Sequence, residues 1–160
     1  MQKYYITVLC AISLTFSSEL RTACDVHAGW RYMDHGGHFG QAGLRLIAPF
    51  SDYIGLTAGL IDLIFVAGAI RVSTGSFGFI EKMKTKHISP YATQLVFLDL
   101  GAYLYPGEHS YIDFGVGLGL GAEFMSNKKV CPFIEGTYTF YTGNTDGYII
   151  GASIGVRANF

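Results

Sequence analysis

From Tyr111 to Phe124 the chain alternates without a break. Ile112, Phe114, Val116, Leu118, Leu120 and Phe124 fall on one side, and Asp113, Gly115, Gly117, Gly119, Gly121 and Glu123 on the other. A period of two is the pattern of a β-strand. A strand of a soluble sandwich would bury the apolar row and show water a row of ordinary polar side chains. Here the second row is glycine with two acids. A bulky apolar row backed by a nearly empty one suits a strand that meets hydrocarbon outside and a narrow, enclosed axis inside.

The same logic recurs along the chain. Tyr148, Ile150, Ala152, Ile154, Val156, Ala158 and Phe160 share a face, opposite Gly151, Ser153, Gly155, Arg157 and Asn159. Asp25 to Met33 places Val26, Ala28, Trp30 and Tyr32 outward and Asp25, His27, Gly29 and Arg31 inward. Gly40 to Phe50 sets Ala42, Leu44, Leu46 and Ala48 against Gln41, Gly43 and Arg45. Tyr53 to Ile64 reads as a third strand, and a fourth lies within Ala69 to Glu81 with its register open. Tyr91 to Tyr105 turns Asp99, Gly101 and Tyr103 inward, and Pro132 to Tyr141 does the same with Glu135, Thr137 and Thr139. Glycine, proline and asparagine mark hairpins at Gly36, Pro106, Ser126 and Asn144 to Gly147.

A strand with one lipid-facing row cannot leave backbone amides unpaired in hydrocarbon, so the sheet must close. The expectation is an all-β, antiparallel, up-and-down transmembrane barrel of about eight strands over residues 24–160. Composition agrees: 50% of the 160 residues are hydrophobic and only 14% are charged, against about a quarter charged in soluble domains. A spanning helix fits less well, because the longest apolar run after the N-terminus, Tyr53 to Ile70, is interrupted by Asp62 and glycines. A formal net charge of −1 gives no field for nucleic acid.

Residues 1–18 read as a signal peptide: Lys3, an apolar stretch from Tyr4 to Phe16, then Ser17 and Ser18. The cleavage point is open as far as residue 23. Leu20 to Cys24 is a poor lipoprotein box, because Arg21 and Thr22 disturb its small-residue spacing. Export leaves Cys24 and Cys131 in an oxidising compartment, where a disulfide between them is allowed but not required. With the N-terminus in the periplasm, the Gly36, Pro106 and Asn144 loops are external. The Ser51, Lys82–His87 and Lys128–Lys129 turns are then periplasmic.

Taken together, the signal, the strand count and the last strand give a specific likeness. Tyr148, Ile150, Ile154, Val156 and a terminal Phe160 resemble the β-signal that outer-membrane proteins present to their assembly machinery. The whole of 24–160 resembles, as pattern, the OmpA/OmpX-like family of small outer-membrane barrels. That resemblance implies the Gram-negative outer membrane as location, with its lipids and lipopolysaccharide as surroundings. It also implies a structural, surface-antigen or adhesion role with a host or surface ligand as partner, without catalysis or cofactor.

The inward rows are the candidate site. Arg31, Arg45, Arg157, Asp99, Asp113, Glu123 and Glu135 are expected to pair across the lumen, since buried charges need partners. Two other classes stay open. Small barrels that remove or transfer acyl chains of lipid A need a hydroxyl beside a histidine and an acid, and Glu108, His109 and Ser110 supply those types in one loop. His35 and His38 have too few companions for a metal site. A small pore needs an open lumen, which the inward glycines favour and inward Tyr103, Tyr141 and arginines oppose. Lys82, Lys84, Lys86, His87, Lys128 and Lys129 form two basic turns, read as solvated and able to meet phospholipid headgroups.

Overall fold

The computed structural model describes residues 22–34, 37–66, 69–73, 76–103, 110–143 and 146–160. Residues 1–18, which the sequence pattern reads as a signal peptide, lie outside them. Strands β1 (Ala23–Met33), β2 (Gly37–Pro49), β3 (Ile54–Val66), β4 (Ala69–Ser73), β5 (Ser76–Lys82), β6 (Ile88–Tyr103), β7 (Ser110–Phe124), β8 (Val130–Gly143) and β9 (Gly147–Asn159) follow in order. Every pairing is antiparallel, and β1 to β3 and β6 to β9 each pair with their neighbours in sequence. β9 returns to β1, with Ala23 opposite Asn159 and Met33 opposite Ile149, and the sheet closes. β4 and β5 both lie between β3 and β6, so they are two lengths of one stave. The result is a closed eight-strand antiparallel barrel. The fourth strand, whose register the sequence left open, is this divided stave.

The alternation decides which side chains face out. Leu118, Leu120, Ile154 and Val116 stand 63%, 72%, 68% and 60% exposed on the outer wall, while Asp113 and Glu123 of the same β7 are fully buried. An outer surface this apolar is stable only against hydrocarbon.

Among the described residues alternation breaks in β3 and, beside it, between β4 and β5, where the register against β6 shifts by one. Leu44 of β2 faces Ile61, whereas Arg45 faces Gly59, so Leu60 is an extra residue in a β-bulge. Leu60 and Ile61 are both exposed. The bulge resets the inward row from Gly55, Thr57 and Gly59 to Asp62 and Ile64. Without it Asp62 would point into lipid.

The interior is layered along the axis. Ala23, Ile47, Ile80, Tyr91 and Phe133 pack at the end bearing the short turns and both ends of the described barrel. Phe39, Ile64, Tyr141 and Ile149 pack at the other end, with Met33 and Phe97 against them. The β7 glycines seat these interior rings. A Cβ on Gly121 would strike the Tyr91 ring, one on Gly117 would meet Phe97 and Thr139, and one on Gly115 would meet Tyr141. The space they leave is therefore occupied by side chains and does not widen a channel.

Candidate functional site

Between the apolar layers sits a charged one. Asp25 of β1 is fully buried and takes four hydrogen bonds from two guanidinium groups. Arg157 of β9 donates to it from Nε at 2.7 Å and from Nη2 at 2.9 Å. Arg45 of β2 donates from Nε at 3.1 Å and Nη2 at 2.9 Å. Arg45 reaches on to Glu135 of β8 with two further bonds, at 3.1 and 3.0 Å. Arg157 reaches Glu123 of β7 at 2.6 Å, and Lys82 of β5 closes the other side of Glu123 at 2.7 Å. The planar fork of arginine suits this bridging, since its N–H groups can serve two carboxylates at once.

Three carboxylates thus face three cations, and the layer is neutral. The rings of Tyr91 and Phe133 cover the Arg157 guanidinium at 5.1 and 5.4 Å, and Phe133 lies 5.8 Å from that of Arg45. These contacts add cation–π attraction where water is excluded. Side chains from β1, β2, β5, β6, β7, β8 and β9 meet here, so the layer ties nearly the whole circumference together.

Farther along the axis, His27 Nε2 lies 3.1 Å from Asp62 Oδ1. Asp62 is available only because of the bulge. Several buried polar atoms in the lumen have no protein partner: His27 Nδ1, Arg31 Nε, Gln41 Oε1, Thr57 Oγ1, Tyr91 OH and Thr93 Oγ1. Such groups require water in a folded protein.

Of the residues expected in the network, Arg45, Arg157, Glu123 and Glu135 are brought together. Arg31 is buried but bonds to none of them. Asp113 is fully buried at the other end of β7. Asp99 pairs with Asp113 in the β6–β7 register. Alternation alone did not single out Lys82 and Asp62. Lys82 reads as a turn residue until its place in the Gly78, Ile80, Lys82 row is seen, and Asp62 is hidden by the bulge.

The other candidates sort as follows. Residues 104–109 lie outside the described residues, which takes Glu108 and His109 with them; Ser110 opens β7. His35 also lies outside, while His38 stands on the outer wall, stacked on Trp30 at 5.4 Å and tilted against Tyr32 at 5.2 Å. No cluster of metal-ligating side chains occurs among the described residues. Cys24 and Cys131 are both free thiols. The disulfide left open by the sequence is not made, and the reason is geometric. Cys24 shares the outward parity of β1 and Cys131 the inward parity of β8, with β9 between them. On β9, Ile150, Ile154 and Val156 face outward, and Phe160 is 75% exposed.

With this geometry in view, the fold defines the class: a small barrel of outer-membrane type. Its structural likenesses are consistent. Neisserial surface protein A superposes with a TM-score of 0.67 at 14% identity, over 89% of this chain and 98% of that one. The N-terminal β-barrel domain of Pseudomonas aeruginosa OprF gives 0.59 at 13%, over 86% and 97%. Ail, the attachment invasion locus protein of Yersinia pestis, gives 0.54 at 14%, over 89% and 99%; a further Ail structure holds the heparin analogue sucrose octasulfate. No family model matches the sequence. No curated protein matches it.

Proposed function

We propose that this chain is a non-catalytic protein of the Gram-negative outer membrane with a structural or surface-recognition role. The observation that carries it is the neutral, ring-covered charge layer, which joins side chains from seven strands across the lumen. Compensated charge packed across a lumen braces the wall, which suits a structural or surface-display barrel. The apolar outer wall supports an outer-membrane setting, with lipid acyl chains as its immediate partners. The alternating apolar row of β9, ending on Phe160, supports recognition by the assembly machinery.

Recognition at the loop end has a chemistry that the sequence limits. The sequence between the strand ends there (34–36, 67–68, 104–109 and 144–146) contains Asp34, Glu108 and Asp146 but no lysine or arginine. A sulfated polyanion such as the heparin analogue held by Ail finds no cations in them. A cationic surface ligand fits these connections better than an anionic one, and lipopolysaccharide phosphates gain no lysine or arginine from them.

The test is purification from the outer-membrane fraction with heat-modifiable gel migration, followed by planar-bilayer recording. A compact form that shifts on heating and shows no steady conductance is expected. Steady channels, or a change in lipid A mass on expression that is lost in His109→Ala, would overturn the reading.

A further inference from the structure

The two basic turns form one surface. Residues 83–87 and 125–129 are bolted together: Met125 N–H donates to the His87 carbonyl at 2.7 Å, Ser126 Oγ donates to the Thr85 carbonyl at 2.6 Å, and Ser89 Oγ bonds Ser126 Oγ at 2.9 Å. Within the first turn, Thr85 N–H donates to Ser89 Oγ and Thr85 Oγ1 to the Ile88 carbonyl. The second turn is held again from β9, where Asn159 donates to the Lys128 and Lys129 carbonyls. Lys84, Lys86, Lys128 and Lys129, with His87, are therefore displayed from a fixed frame, all exposed.

Acids compensate this patch only in part. Lys84 pairs with exposed Asp52 at 2.8 Å, Glu81 is held by Gln94 on the outer wall, and Glu123 is committed to Lys82 and Arg157. Interleaved with the lysines are Met83, Ile88, Met125 and Val130, which stand 67%, 50%, 50% and 54% exposed. Cations alternating with exposed apolar side chains at the rim of a lipid-facing wall suit the boundary between acyl chains and headgroups. Every lysine after Lys3 lies at this end of the barrel.

We infer that this stitched rim binds the phosphates of anionic phospholipid headgroups and so fixes the barrel's seating in the leaflet its turns face. Assignment of that leaflet to the periplasmic side rests on the outer-membrane reading above; the lipid preference itself does not. The competing source, lipopolysaccharide phosphate, belongs to the opposite leaflet in that reading.

The experiment is native mass spectrometry of the refolded full chain from detergent micelles doped with equal phosphatidylglycerol and phosphatidylethanolamine. Barrel formation is checked first by heat-modifiable migration. The unsubstituted protein should retain phosphatidylglycerol about tenfold over phosphatidylethanolamine at low salt, falling as salt screens the charges. Lys84→Gln, Lys86→Gln, Lys128→Gln and Lys129→Gln together should bring the ratio near one. Lys86→Gln with Lys129→Gln, which disturbs no bond among the described residues, should lower it in part and guards against a misfolded quadruple variant. An unchanged ratio in the variants, no preference in the unsubstituted chain, or displacement of phosphatidylglycerol by equimolar lipopolysaccharide would overturn the assignment.

Discussion

Replacing Arg157 with methionine tests the charge layer most directly. The substitution keeps a long apolar stem against Tyr91 and Phe133 and removes only the guanidinium. Three hydrogen bonds go with it, two to Asp25 and one to Glu123. Three buried carboxylates are then left with two cations. Removing one partner of a buried pair costs about 3–5 kcal/mol, mostly through the charge left uncompensated. Asp25 still has Arg45 and Glu123 still has Lys82, so the lower part of that range, about 3 kcal/mol, is expected. Urea titration of the barrel folded in phosphatidylcholine vesicles measures it. The reasoning makes a second demand. Adding Glu123→Gln removes one charge of the opposite sign and restores two carboxylates facing two cations, so the double variant should recover more than half of the loss. A single-variant cost below about 1 kcal/mol, the level of an exposed pair, would refute the argument. So would a double variant no better than the single one.

Other outcomes follow from the wall and its lining. Gly121→Leu puts a side chain into the Tyr91 ring and the Ile134 carbonyl; a loss of about 1–3 kcal/mol, or failure to reach the heat-modifiable form, is expected in the same titration. Cys24 should react with a maleimide in the folded barrel, while Cys131, fully buried, reacts only after unfolding; mass spectrometry counts the adducts. Trp30, the only tryptophan, stands 44% exposed on the outer wall. Its fluorescence should be quenched by brominated acyl chains and not by aqueous iodide.

The barrel was legible in the chain because period-two patterning is local. Each residue of β7 or β9 declares its face by parity, and an apolar row with no water-compatible partner row demands closure whatever the details. The same parity, read from the sequence alone, turns Arg45, Arg157, Glu123 and Glu135 inward. It could not say which charges meet, because pairing across a lumen depends on strand stagger, and stagger is a property of the closed sheet. Lys82 reaches Glu123, and Arg31 stays apart from the network, for that reason. Parity also fails where one residue is added without a sequence signal. The Leu60 bulge turned Asp62 from a lipid-facing liability into the partner of His27, and the divided fourth stave beside it blurred that strand's register. The cysteines show the converse limit. Chemistry and compartment allowed them to pair; only the arrangement of strands, with β9 between them and their side chains on opposite sides of the wall, kept both thiols free.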